Sequence, residues 1–66
     1  MERQVDYSGM TVNERLFSAG LVAEWDVAVR GHHRQRMIEL LNKVELGDQA
    51  ESIADTILAN PHRYGF

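Results

Sequence analysis

The sequence predicts an all-α fold, and three observations carry that expectation. No segment alternates apolar and polar residues with a period of two for long enough to make a strand. Four segments instead repeat their apolar residues at the spacings of one helix face. The boundaries between them fall on capping residues, on glycines and on the single proline. The 66 residues include no cysteine, and 44% of them are hydrophobic and 26% charged. That composition leaves one small domain and excludes a disulfide-stapled miniprotein and a thiolate metal site. A domain of about 60 residues buries only about 60% of its unfolded surface. A partner surface, from a second copy or from another protein, is therefore expected.

Residues 1–9, MERQVDYSG, have neither helical nor strand periodicity. Val5 and Tyr7 are their only large apolar side chains, too little to offset the entropy of ordering nine residues, so a disordered leader is expected ahead of a single helical domain over 10–66. Met10 marks the change of composition, and a native start at that residue and an upstream extension before it both fit. Thr11-Val12-Asn13-Glu14 then matches a capping box and predicts the start of a short first helix. Val12, Leu16 and Phe17 form its apolar stripe, and Gly20 is placed to end it in the left-handed conformation.

Leu21, Val22, Trp25, Ala28 and Val29 give the second helix its apolar face over 21–30, with Asp26 and Arg30 spaced for an i,i+4 ion pair and Gly31 as the stop. The third helix runs from about His33 to Val44 on Met37, Ile38, Leu40, Leu41 and Val44, a face broad enough for a central position. Glu39 and Lys43 are spaced for a second pair on its wet side. Asp48-x-x-Glu51 reads as a variant capping box for the fourth helix, and Asn60-Pro61 as its stop. Its pattern of Ala50, Ile53, Ala54 and Ile57 suits close antiparallel packing, either within the chain or across a two-fold axis. The two aromatics of the ending His62-Arg63-Tyr64-Gly65-Phe66 suggest a tail that folds back onto the bundle.

Seven basic against ten acidic residues give a net charge of −3, the reverse of a nucleic-acid footprint. One corner runs the other way: Arg30-Gly31-His32-His33-Arg34-Gln35-Arg36. Its sharp reading is a DNA-binding helix-turn-helix with Arg34, Gln35 and Arg36 at the start of a recognition helix. Against that reading, Arg30 and His32 flank the turn glycine at positions that such a motif packs under its corner. A solvated corner, or a patch for an acidic protein, is the plainer reading. His32 and His33 are adjacent and lack the spacing of a metal shell.

There is no Gly-rich phosphate loop, nucleophile elbow or cysteine nucleophile, and Glu24 and Asp26 lie about 200° apart on a helix, too far round to share a proton. The expectation is a protein without catalytic activity and without a cofactor. Trp25 and Phe17 are candidate aromatic anchors at an interface, with the core as the expected place of Trp25.

The run Thr-Val-Asn-Glu-Arg-Leu-Phe at 11–17, Gly20-Leu21, Glu24-Trp25-Asp26 and the ending Ala-Asn-Pro-x-x-Tyr-Gly-Phe at 59–66 resemble a group of short bacterial helical proteins that open T-V-N-E-R-L. The resemblance covers 10–66 and implies a compact helical domain with no assigned mechanism. No apolar run approaches the ~20 residues of a membrane span and no signal peptide is visible, so the expected address is the cytoplasm. Together these features predict a four-helix interaction module or small regulator, able to form a homodimer, with Arg30, His33, Arg34, Arg36, Tyr64 and Phe66 as its partner-binding residues. The rival expectation is a DNA-binding regulator that uses corner 30–36.

Overall fold

The computed structural model describes residues 6–66. The first five residues of the expected leader lie outside the described residues. The other four join the fold: Asp6 to Gly9 form a turn in which the Ser8 N–H donates to the Asp6 carboxylate at 2.9 Å and the Met10 N–H to the Tyr7 carbonyl at 3.0 Å. Tyr7 is buried in the core, against the expectation of an ordering cost with no return. The reason is a partner that local composition does not reveal. The Arg15 guanidinium stacks over the Tyr7 ring, 5.7 Å from its centre, so the folded unit includes Tyr7 and is not confined to residues from Met10 onward.

Four helices follow, α1 (Val12–Ala19), α2 (Val22–Arg30), α3 (Arg34–Lys43) and α4 (Ala50–Ala59), with 3-10 turns at Gly47–Gln49 and Pro61–Tyr64. No strand occurs among the described residues. Thr11 and Glu14 make the expected capping box: the Glu14 N–H donates to the Thr11 hydroxyl at 3.2 Å and the Thr11 N–H to the Glu14 carboxylate at 2.8 Å. The expected box at Asp48 does not form. Asp48 lies inside the 3-10 turn, which itself satisfies the Ala50 N–H through the Gly47 carbonyl, and α4 starts after Gln49 with no side-chain cap.

One device ends three of the helices and the final turn. In each, two successive amides turn back on the last turn, the first to the carbonyl three residues before it and the second to the carbonyl five before. The pairs are Gly20 to Phe17 and Leu21 to Leu16, His32 to Val29 and His33 to Ala28, Glu45 to Asn42 and Leu46 to Leu41, Gly65 to His62 and Phe66 to Pro61, all between 2.8 and 3.2 Å. The first residue of each pair is left-handed, with φ of 72°, 55°, 65° and 88°. Gly20 does what its position predicts. α2 stops at Gly31 as expected, but Gly31 stays at φ −89° and the left-handed residue is His32, one position further on. Asn60 is extended, with φ of −152°, and α4 stops because Pro61 opens the final turn.

The residue that follows each left-handed position returns to its own helix. Leu21, Leu46 and Phe66 are half-buried against the core. That core is Leu16 from α1, Trp25, Ala28 and Val29 from α2, Met37, Leu40 and Leu41 from α3, Val44 beyond it, and Ala50, Ala54 and Ile57 from α4. Met37, Leu40, Leu41 and Val44 have no accessible surface, which makes α3 the central helix. Each such side chain stabilises the fold by roughly 1.5–3 kcal/mol relative to exposure. α3 packs on both α2 and α4, and α1 on α2. The small residues of α4 are therefore used inside the chain.

Left-handed backbone costs a residue with a Cβ roughly 1–2 kcal/mol, and glycine gives back part of that in unfolded-state entropy. Glu45→Gly should raise the stability by about 0.5–1 kcal/mol in urea denaturation. Gly20→Ala should lower it by about 1 kcal/mol, although a Cβ at residue 20 would touch nothing within 4 Å. Equal stabilities for both variants and the parent would refute this account of the helix ends.

Candidate functional site

The basic corner is built by the end of α2, the left-handed His32 and the start of α3. Every arginine in it is engaged by a carboxylate. The Arg30 Nε donates to both Asp26 oxygens at 3.0 Å, the i,i+4 pair expected from spacing. Arg34 reaches across to α4, where its Nε and Nη2 donate to the two oxygens of Asp55 at 2.7 and 3.3 Å. Arg36 donates to Glu39 at 3.3 Å, so Glu39 pairs one turn back and not with Lys43. The corner that reads as a positive patch is locally neutral. The Arg34 fork holds the Asp55 carboxyl below its ordinary range, chiefly by hydrogen bonding, and raises the guanidinium in turn.

His33 is the N-cap of α3 and makes no side-chain cap. Its ring lies against Gly31, where a β-carbon would collide with it. A Cβ at Gly31 would therefore displace the exposed His33 ring from this position. Among the described residues, no three His, Asp or Glu side chains come together as a metal would need.

Of the six residues expected at a partner site, the structure joins Arg30 to Phe66, with the guanidinium 5.6 Å from the ring centre. The tail does fold back, and Phe66 is half-buried while Tyr64 keeps 44% of its surface. His33 and Arg36 line a separate shallow hollow with Glu24 and Val27. The six therefore do not form one site.

The larger apolar surface lies elsewhere. Phe17, expected on the inner stripe of α1, is 79% exposed. The angular arithmetic explains it: Leu16 falls about 40° from Val12, but Phe17 falls about 140° from it, and a helix of two turns brings only one side to the core. Val22 beside it is 47% exposed. Phe17 and Val22 rim a hollow of about 530 Å³ with Met10, Leu16 and Trp25 beneath. Asn13 and Trp25 also line a second cleft of about 570 Å³, formed with α4 and the final turn. The two hollows adjoin at Asn13, with the buried Trp25 beneath both.

Arg15 is a further residue that the sequence did not signal. Besides stacking on Tyr7, it donates from Nε to the Met10 carbonyl at 3.1 Å and from Nη1 to the Val44 carbonyl at 2.8 Å. It binds the turn before α1 to the end of α3, where a cation meets the negative end of the helix dipole. No family model, curated protein or solved structure matches the chain.

Because its folded pKa is depressed, Asp55 contributes stability above its unfolded value, near 3.8, and loses it as pH falls through the folded value. Asp55→Asn should therefore sit below the parent in urea midpoint at pH 7, with the gap closing as pH falls below the unfolded value. A gap independent of pH would show that the Arg34 fork does not act through charge.

Proposed function

We propose that this chain is a non-catalytic protein-interaction module, a small cytoplasmic regulator whose contact face is the exposed apolar surface of Phe17 and Val22 over the hollow that they rim. The observation that carries the reading is Phe17, a phenyl ring left 79% exposed beside a second exposed apolar side chain and above an apolar hollow. Contiguous apolar surface of this kind marks contact sites, and aromatic side chains supply much of the energy in them. Membership of the bacterial T-V-N-E-R-L group belongs to the same reading. The DNA-binding alternative draws less support, because Arg30, Arg34 and Arg36 are each paired with a carboxylate and would have to exchange it for phosphate.

Affinity capture from a cell lysate on the immobilised chain, with and without nuclease, tests this when run beside Phe17→Glu. Sedimentation equilibrium of both proteins covers the case of a second copy. The parent should retain a protein partner, or self-associate, in a manner insensitive to nuclease, and Phe17→Glu should weaken that binding at least tenfold at unchanged thermal stability. Equal binding by the variant, or release by nuclease, would refute the reading.

A further inference from the structure

The cleft between α1, α4 and the final turn has a composition that the contact face does not explain. Val12, Ile53, Ile57 and Trp25 line it as apolar surface, and Ser52 and Thr56 supply hydroxyls from α4. Arg63 is the one charged residue that lines it. Among the described residues, no carboxylate lies within ion-pair distance of that guanidinium, whereas the three arginines of the corner are all paired. The volume, about 570 Å³, lies in the range of small-molecule sites, roughly 300–1,000 Å³. A lone cation at an apolar cleft complements a ligand with one negative charge on an apolar body, and a planar guanidinium fork matches a carboxylate better than a point charge does.

We infer that this cleft binds a small apolar monocarboxylate, its hydrocarbon or aryl body against Val12, Ile53 and Ile57 and its carboxylate on Arg63. The neutral hydroxyls and the amide of Asn13 add donors without adding charge. A dianion would find no second cationic side chain in this lining. Because Asn13 also lines the hollow beneath Phe17, an occupied cleft would alter the edge of the surface that a protein partner meets.

The probe is 3-phenylpropionate, titrated into the full 15N-labelled chain and followed by amide chemical shifts, with 3-phenylpropionamide as the neutral isostere. Saturable shifts are expected at Val12, Ile53, Thr56 and Arg63. The amide should bind at least fivefold more weakly, Arg63→Gln should abolish the preference for the acid, and Arg63→Lys should restore part of it. Arg63 is exposed, so these variants should keep the parent's dispersed spectrum. N-acetyl-Ala-Ala-Phe, which presents the same phenyl and carboxylate at a peptide terminus, should bind no more tightly than the small acid. Shifts that do not saturate, equal binding of acid and amide, indifference to Arg63→Gln, or tighter binding of the tripeptide would each overturn the assignment. The outcome does not depend on whether Phe17 contacts a protein.

Discussion

The structure depends on reversing the chain within one or two residues at the ends of very short helices. A helix of eight to ten residues leaves about four carbonyls at its C-terminus without an internal partner, close to half of those it has. Two amides folded back across a left-handed residue satisfy the most exposed of them and swing the next side chain onto the core. The amide reversal occurs at Gly20, His32, Glu45 and Gly65, and the following side chain packs on the core at all but His32, where His33 is exposed. Leu21, Leu46 and Phe66 are thus directed by backbone geometry toward the core. Only two of these four positions are glycines, so the chain carries backbone strain at His32 and Glu45 that packing has to overcome.

Arg15 supplies a complementary tie. The reversals act locally, but the turn before α1 and the end of α3 are far apart in sequence, and α1 is too short to fix itself. One guanidinium joins them through two carbonyls and an aromatic face. The residues of the run 11–16 then have separable duties. Thr11 and Glu14 cap α1, Val12 and Asn13 line the cleft, Arg15 clamps, and Leu16 enters the core. Most of that run is therefore accounted for by the fold, and a resemblance built on it speaks to architecture before activity.

Helix number, the central place of α3, the first capping box and the folded tail were legible because each rests on local spacing or on one residue's conformational preference. Tyr7 and Arg15 were not, because the value of each depends on a partner eight or more residues away. Asp55 escaped for the same reason, and with it the neutralisation of the corner, since nothing near Arg34 in sequence indicates a carboxylate on α4. The misplacement of Phe17 had a different origin. A spacing of i, i+4, i+5 spans too wide an arc for one side of a two-turn helix, and that was present in the sequence. Residue type locates the stop of α2 at Gly31, but it does not show that the left-handed residue is His32, one position further on.

The surface follows from this division of labour. Charges settle into pairs that fasten the corner, and the apolar side chains that two short helices cannot cover remain outside on α1 and α2. The central claim, that backbone reversals organise the bundle, is tested most directly by native-state hydrogen exchange at the Leu21, His33 and Leu46 amides. Each is at or beyond a helix end, where fraying normally makes exchange fast. The account predicts protection approaching that of Leu40 and Leu41 within α3. Exchange at the rate of an unstructured peptide, with α3 still protected, would contradict it.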